Sequence, residues 1–205
     1  MTQYFPYGPE AMEHLKAKDA RLGVHIDRIG HINRPINPDL FSALIHAVVG
    51  QQISTKAHQT VWGRLVEALG EITAESVDQA SVELIQGQGL SFRKVHYLKE
   101  IAARVIHGEI RLEIIKDLSD AAAMAELTKF RGVGIWSAEM LLIFSLARPD
   151  IFSFDDLAIQ RGLKILLGLD KNQKLDRAFL TERRKLYSPF GSIASLYLWA
   201  IAVGA

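Results

Sequence analysis

The sequence predicts an all-α protein, and three observations lead to this prediction. Apolar residues recur at the three- and four-residue spacing of one helix face through most of the chain. The six prolines lie outside these periodic segments, where a residue without a backbone N–H can begin or end a helix. No segment of useful length alternates apolar and polar residues as a half-buried strand does. We therefore predict roughly ten helices.

The first half of the chain is predicted to form helices separated by one irregular segment. A first helix runs from Pro9 to about Leu22. Residues 23–38 contain two glycines and two prolines and are predicted to be irregular. Dense apolar spacing then resumes, and helices are predicted from Asp39, over residues 54–69 and, after the N-cap Thr73, over residues 74–85.

The second half continues in the same way. Gly89 precedes a helix with one clear apolar face, and Ser119 is a predicted N-cap. IFSF (151–154) is at best a short extended link. The predicted helices are residues 91–106, 120–130, 135–147, a segment starting near Asp155, 171–187 and 188–203.

The composition excludes several classes of site. The chain has 205 residues and no cysteine, which excludes disulfides, thiolate metal sites and a cysteine nucleophile. Lys and Arg number 24 against 23 Asp and Glu, for a formal charge of +1. Nucleic-acid binding would therefore depend on local placement of charge and of backbone amides. The seven histidines show no metal-ligand spacing.

The chain carries no recognisable targeting or membrane segment. Its start, MTQYFPYGPE, lacks the basic and apolar regions of a signal peptide. The longest apolar runs are shorter than a bilayer-spanning helix requires. We therefore expect a cytoplasmic protein that does not enter a membrane.

The segment LTKFRGVGIWSAEMLL (127–142) predicts two helices joined by a tight turn, with Gly132 and Gly134 on either side of Val133. Glycine permits positive φ and close approach of another backbone. The amides at the start of the second helix carry partial positive charge, which suits a phosphate group. A plain αα-hairpin with a glycine turn is the alternative interpretation.

The segment IFSFDDLAIQRGLKIL (151–166) places two carboxylates, Asp155 and Asp156, at the start of a helix. In one interpretation both serve only as the N-cap and first-turn charges that helices often carry. Alternatively, one carboxylate faces a site, where it stabilises developing positive charge or orients a water molecule.

Taken together, the two segments resemble the helix–hairpin–helix superfamily of DNA base-excision glycosylases, in particular its 3-methyladenine DNA glycosylase II group. Three further segments are similar to parts of that group: HAVVGQQISTKA (46–57), GLSFRKVHYLKEIA (89–102) and SPFGSIASLYLWAI (188–201). The resemblance covers roughly residues 40–204.

The resemblance implies a monofunctional DNA glycosylase that flips out alkylated bases, of the 3-methyladenine and 7-methylguanine type, and hydrolyses the N-glycosidic bond in base excision repair. It assigns the catalytic role to Asp156. Bifunctional relatives carry a lysine at the position of Trp136, so no AP lyase activity is expected. No cofactor for catalysis is implied.

The resemblance also implies the remaining site residues. Gln52 takes the position of the residue that wedges into DNA, and Gly132, Val133 and Gly134 contact DNA phosphate. The base pocket is assigned to Trp136, Trp199 and Met140, with Met140 in place of a tyrosine found in some members. The carbonyls of Thr128, Phe130 and Val133 would hold a structural alkali-metal ion.

The expected organisation is a two-lobed helical bundle with a helix–hairpin–helix motif. One lobe comprises residues 39–157, and the other combines residues 1–38 with 158–205. The expected partner is duplex DNA containing damaged bases, bound by a monomer. A non-catalytic helix–hairpin–helix DNA-binding module and a helical protein-interaction scaffold remain as alternatives. The N-terminal aromatic residues Tyr4, Phe5 and Tyr7 could complete the base pocket or pack on the core.

Overall fold

The computed structural model describes residues 2–205 and confirms the predicted all-α class. Within these residues the chain forms thirteen helices and one pair of two-residue strands. The strands are β1 Gln3–Tyr4 and β2 Pro35–Ile36, which pair antiparallel. The helices are α1 Pro9–Lys18, α2 Ala20–Ile29, α3 Leu40–Gly50, α4 Thr55–Leu69, α5 Ala74–Gln79, α6 Val82–Gly87, α7 Phe92–Ile106, α8 Leu112–Ile115, α9 Asp120–Leu127, α10 Ile135–Phe144, α11 Leu157–Leu167, α12 Arg177–Tyr187 and α13 Gly191–Ala202.

The chain divides into two compact units. The first contains the described residues up to Ile36 together with Ala147–Ala205, and the second is the continuous segment Asn37–Leu146. The sequence predicts the boundaries at residues 39 and 157, so the two divisions differ for residues 37–38 and 147–157. Asp156 consequently lies in the first unit.

The first unit is built on the packing of α11 against α13. Gly162 of α11 lies so close to the backbone of Leu198 in α13 that a Cβ atom would overlap the Leu198 carbonyl oxygen. Helices α1 and α2 pack beside this pair. Leu15, Leu163 and Tyr197 are among the fully buried residues of this unit.

The second unit is organised around α7, which packs against α3, α5 and α6. Its apolar face is the one that the sequence predicts, since Val95, Leu98, Ile101 and Ala102 are all buried. Helices α9 and α10 flank the glycine-containing turn and pack on each other. The turn therefore lies between two helices that pack on each other.

The predicted first helix is in fact two helices, because Asp19 ends α1 and caps α2. Its backbone is extended, with φ −140° and ψ 99°, and its side chain accepts hydrogen bonds from the amides of Arg21 and Leu22. Helix α2 then continues to Ile29, into the segment predicted to be irregular. An aspartate inside a helical pattern signals a cap only weakly, which explains the difference.

Other boundaries differ in similar ways. The helix predicted over residues 74–85 is divided at Ala80, and Ser81 caps the second half. The last long amphipathic helix begins at Arg177 after the cap Asp176, later than predicted. The short helix α8 and the strand pair were not predicted. The predicted caps Thr73 and Ser119 are confirmed.

The N-terminal aromatic residues occupy different environments. Phe5 is buried, and the Tyr7 ring stacks on His31 with 4.2 Å between ring centroids. Tyr4 lies on the surface, 49% exposed. In the part of the chain that the structure describes, no helix combines the length and the apolar character needed to cross a membrane.

Candidate active site

Asp156 is a buried N-cap residue. It immediately precedes α11, is 6% exposed, and accepts hydrogen bonds at Oδ1 from the amides of Ala158 and Ile159, at 2.9 and 2.8 Å. Its neighbour Asp155 is exposed. The structure thus distinguishes the two adjacent carboxylates, and only Asp156 is enclosed by protein.

Trp199 contributes a third donor to the same oxygen. Its indole Nε1–H donates to Oδ1 of Asp156 over 3.1 Å, and the side chain is half-buried in α13. Three N–H groups and the positive end of α11 therefore surround one carboxylate, and all of them stabilise its negative charge. Of the predicted site residues, these two are in direct contact.

The turn between α9 and α10 is a compact, hydrogen-bonded loop. The amide of Phe130 donates to the Leu127 carbonyl, and the amide of Val133 donates to the Phe130 carbonyl, at 3.3 and 3.1 Å. Gly132 adopts φ +84°, and a Cβ there would meet the ring of Tyr97 at 2.7 Å. Glycine at this position is therefore required both for its backbone angle and for space.

The predicted phosphate-binding residues differ in whether their backbone amides are used in hydrogen bonds within the turn. The Val133 amide is used inside the turn, whereas Gly134 has extended backbone with φ −87° and directly precedes α10. No side chain caps the start of α10. The N-cap Gly134 has no side chain that could cap α10, and the first-turn amides carry the partial positive charge of a helix N-terminus, which favours an anion.

Two predicted pocket residues lie on α10. Trp136 is 49% exposed in the first turn, and Met140 follows one turn later and is half-buried. Residues four apart share one face of a helix, so both belong to the same side of α10. Tryptophan has a large apolar side chain and is usually mostly buried, so the exposure of Trp136 is unusual.

Gln52 lies in the turn between α3 and α4. Its side chain is exposed, and its φ of +56° places the backbone in the left-handed region. Ile53 follows with 39% exposure, and Ser54 caps α4 by accepting a hydrogen bond from the Ala57 amide. We call residues 50–54 the wedge turn.

Two residues that the sequence analysis did not single out hold the wedge turn. The ammonium group of Lys94 in α7 donates to the carbonyls of Val49 and Gln51, at 2.8 and 2.7 Å. The side-chain amide of Gln51 donates to the carbonyl of Gly132. Both lie in the segments quoted for the family resemblance, but no spacing rule connects them.

A histidine pair lies beside the same turn. The rings of His46 and His58 are 4.1 Å apart, and Trp62 packs edge-on against His46. The Nε2–H of His58 donates to the His46 carbonyl over 3.0 Å. Burial, followed by the charge of His58, lowers the pKa of His46 to about 4. Among residues 2–205 no group of three or more His, Asp or Glu side chains is arranged to hold a metal ion.

The comparison with protein families matches residues 45–189 to the "HhH-GPD superfamily base excision DNA repair protein" family. This range includes α4 to α12, the turn between α9 and α10, Gln52 and Asp156. Among curated proteins, DNA-3-methyladenine glycosylase 1 of Schizosaccharomyces pombe is 34% identical over 163 residues. That alignment covers 78% of this chain and 71% of the yeast protein.

Solved structures agree with the sequence comparisons. The DNA-3-methyladenine glycosidase of Bacillus halodurans has a TM-score of 0.84 and 30% identity, covering 98% of this chain and 93% of that protein. The S. pombe 3-methyladenine DNA glycosylase Mag1, in complex with abasic DNA, has a TM-score of 0.80 and 31% identity. It covers 93% of this chain and 95% of its own.

Proposed function

The chain belongs to the HhH-GPD superfamily of base excision DNA repair proteins, and from that membership we propose that it is a DNA-3-methyladenine glycosylase. It binds duplex DNA, extrudes an alkylated base and hydrolyses its N-glycosidic bond. The observation that carries this proposal is the environment of Asp156. A buried carboxylate held by three N–H donors is suited to meet positive charge.

Asp156 acts on the sugar. As the bond to the base breaks, the deoxyribose ring acquires oxocarbenium character, and a fixed negative charge nearby stabilises this transition state. The same carboxylate helps to position the attacking water. Because its donors are already in place, no reorganisation is needed as charge develops. Hydrolysis by a carboxylate and water needs no cofactor.

Aromatic side chains select the base. A purine methylated at N3 or N7 carries delocalised positive charge, and the face of an indole ring attracts a cation by roughly 0.5–2 kcal/mol. Trp199, which lies in the same unit as Asp156, is proposed to stack on this base, and the pocket roles of Trp136 and Met140 rest on the family resemblance alone. The hydrogen bond from Trp199 to Asp156 restricts the orientation of this indole, so its stacking surface is prepared before the base arrives.

The turn between α9 and α10 binds the DNA backbone in this proposal. The amide of Gly134 and the uncapped first turn of α10 attract a phosphate. Gly132 and Val133 shape the turn, with the Val133 amide directed to the Phe130 carbonyl. Such contacts read no sequence, which suits an enzyme that must act wherever damage occurs.

Gln52 is the proposed wedge. It is exposed at the tip of the wedge turn, and its amide can fill the space of the extruded base while donating to and accepting from the orphaned partner. Extrusion costs a few kcal/mol of stacking and pairing energy. A side chain inserted into the gap offsets part of that cost.

The proposed enzyme is monofunctional, because Trp136 stands where the bifunctional relatives carry a lysine. An indole cannot form a Schiff base with the sugar. The enzyme is further proposed to work as a monomer in the cytoplasm. Product strands should stay intact until alkali cleaves the abasic site, and borohydride should trap no adduct between the protein and DNA.

The carbonyls of Thr128, Phe130 and Val133 are proposed to hold an alkali-metal ion. These uncharged oxygens suit such a cation, and the Phe130 carbonyl keeps one lone pair after accepting from the Val133 amide. Arg104 donates to the carbonyl of Lys129, which lies between Thr128 and Phe130 in sequence. A bound cation would supply extra positive charge beside the phosphate-binding turn.

The proposal is tested with DNA treated by a methylating agent. The protein is incubated with this DNA, and the released bases are identified by chromatography. We expect 3-methyladenine and 7-methylguanine, with slower or no release of uracil and 8-oxoguanine. DNA binding without release of any base would instead indicate a non-catalytic DNA-binding module.

A further inference from the structure

The backbone of the wedge turn is strained at Gln52, the proposed wedge residue. Gln52 has φ +56°, and a residue with a side chain in the left-handed region costs roughly 1–2 kcal/mol relative to the right-handed one. Such strain persists only where the surroundings determine the conformation. The contacts of the wedge turn therefore indicate what keeps Gln52 in place.

Lys94 fixes the peptide that precedes Gln52. Its ammonium group lies 2.7 Å from the Gln51 carbonyl oxygen, which belongs to the peptide bond between Gln51 and Gln52. It also lies 2.8 Å from the Val49 carbonyl, in the last turn of α3. A positive charge at a helix C-terminus is favourable, so the lysine holds the end of α3 and the wedge turn together.

Gln51 connects the wedge turn to the phosphate-binding turn. Its side-chain amide donates to the Gly132 carbonyl, with the hydroxyl oxygen of Ser137 at 3.5 Å. Gly132 has φ +84° and lies against the ring of Tyr97. Gln51 and Gly132 are 81 positions apart in sequence, and their hydrogen bond joins the two turns that are proposed to contact DNA.

Helix α7 supports both turns from one face. Lys94 and Tyr97 are three residues apart and therefore adjacent on the helix surface. Lys94 contacts the wedge turn, and Tyr97 contacts Gly132 in the other turn. Since α7 has a buried apolar face packed on α3, it is a rigid support for the two turns.

We propose that Lys94 and Gln51 are positioning residues, which hold Gln52 in its wedge conformation and at a fixed place relative to the phosphate-binding turn before DNA arrives. This inference rests on the proposed glycosylase function. A turn that is ordered in advance pays no ordering entropy when the base is extruded. Loss of either positioning residue should therefore slow base release from duplex DNA, where extrusion is costly, and should not slow it from single-stranded DNA.

Lys99 provides a matched control on the same helix. It is half-buried like Lys94, and its ammonium group donates to the carbonyls of Val77, Asp78 and Ala80 at the end of α5. Lys99→Met and Lys94→Met remove the same kind of contact from the same unit. Only Lys94 is joined to the wedge turn.

The experiment compares kcat/KM for release of 7-methylguanine from duplex and from single-stranded DNA. We expect Lys94→Met to lower the duplex-to-single-strand ratio roughly tenfold, the equivalent of one hydrogen bond to a charged group. Gln52→Ala should lower the ratio similarly, and adding Lys94→Met to it should have little further effect. Gln51→Ala removes a hydrogen bond between uncharged groups and should lower the ratio less. Lys94→Arg should restore most of the ratio. Lys99→Met should leave it unchanged, although its Tm falls about as much.

An unchanged ratio in Lys94→Met, or an equal fall in Lys99→Met, would overturn the inference. A second readout tests the positioning role separately from the proposed function. It is the fluorescence of 2-aminopurine placed beside an abasic site in DNA, and this fluorescence rises when an inserted side chain unstacks the 2-aminopurine. A wild-type rise that is lost in Lys94→Met supports the positioning role even if no base is released. Absence of a rise with the wild-type protein bound would contradict the wedge and its positioning residues together.

Discussion

The indole Nε1 of Trp199 lies 3.1 Å from Oδ1 of Asp156, the oxygen that also caps α11. One atom thus serves the helix cap, the charge of the site and the orientation of the aromatic ring. The local cap fixes the carboxylate relative to α11, and the carboxylate fixes the indole of α13. The properties of this pair lead to the first two predictions.

We expect Asp156→Asn to bind DNA but to release methylated bases at least about a hundredfold more slowly, because it removes the negative charge opposite the developing cation. The fold should be preserved, since asparagine caps helices about as well as aspartate and its oxygen can accept the same donors. Rate, DNA affinity and Tm are measured together. Asp155→Asn, at the exposed neighbour, is the control, and equal losses in both variants would refute the assignment.

We expect Trp199→Ala to reduce release of cationic 7-methylguanine more than release of neutral hypoxanthine. The loss of a cation–π contact should change this preference by a factor of roughly 2–30. Trp199→Phe keeps an aromatic face but lacks the N–H, so it should slow both reactions and retain more of the preference. A well-folded Trp199→Ala protein with wild-type preference would show that the indole is not part of the base pocket.

The caps of the fold could be predicted from sequence, but contacts between distant segments could not. Thr73 and Ser119 are recognisable because a hydroxyl before a periodic apolar segment is a local signal. Asp19 was missed because it interrupts a pattern that reads as one continuous helix. Its second oxygen accepts from the Tyr187 hydroxyl, 168 residues away, and no local pattern reveals such a contact.

In the candidate site, too, individual residues could be predicted from sequence but the contacts between them could not. The resemblance to a family identified Asp156 and Trp199 separately, but their hydrogen bond depends on how α11 packs on α13. Lys94 and Gln51 are ordinary polar residues in sequence. The positioning role that we propose for them rests on the carbonyl groups that the fold brings to them.

Gly162→Ala should destabilise the protein by roughly 1–3 kcal/mol, because the added methyl group overlaps the Leu198 carbonyl in a tightly packed pair of helices. Since Leu198 precedes Trp199, the shift should also weaken the contact with Asp156 and slow base release. Denaturant unfolding and initial rates check both effects. Gly63→Ala, at a helical glycine with open space around it, should be neutral or stabilising. An unchanged free energy of unfolding in Gly162→Ala would show that the close approach of α11 and α13 does not contribute to stability.

Stability should fall in mildly acidic solution because of His46. Its pKa is lowered from 6.5 to about 4 by burial and by the neighbouring His58. Between these two values the unfolded chain binds a proton that the folded protein does not, so the free energy of unfolding decreases as the pH falls from about 6.5 to about 4. Taken at face value this pKa shift would be worth about 3 kcal/mol, but solvent screens the exposed His46 side chain, and we expect about 1 kcal/mol or less.

The pH effect can be assigned to His46 by substitution. His46→Phe keeps an aromatic ring beside Trp62 and His58 but cannot bind a proton, so its unfolding free energy should depend less steeply on pH in this range. Part of the dependence should remain, since burial also lowers the pKa of His58. His107→Gln, at an exposed histidine of the same unit, controls for the loss of one histidine elsewhere. If the His46→Phe and wild-type profiles are parallel between pH 4 and 6.5, the histidine pair is not the source of the acid sensitivity.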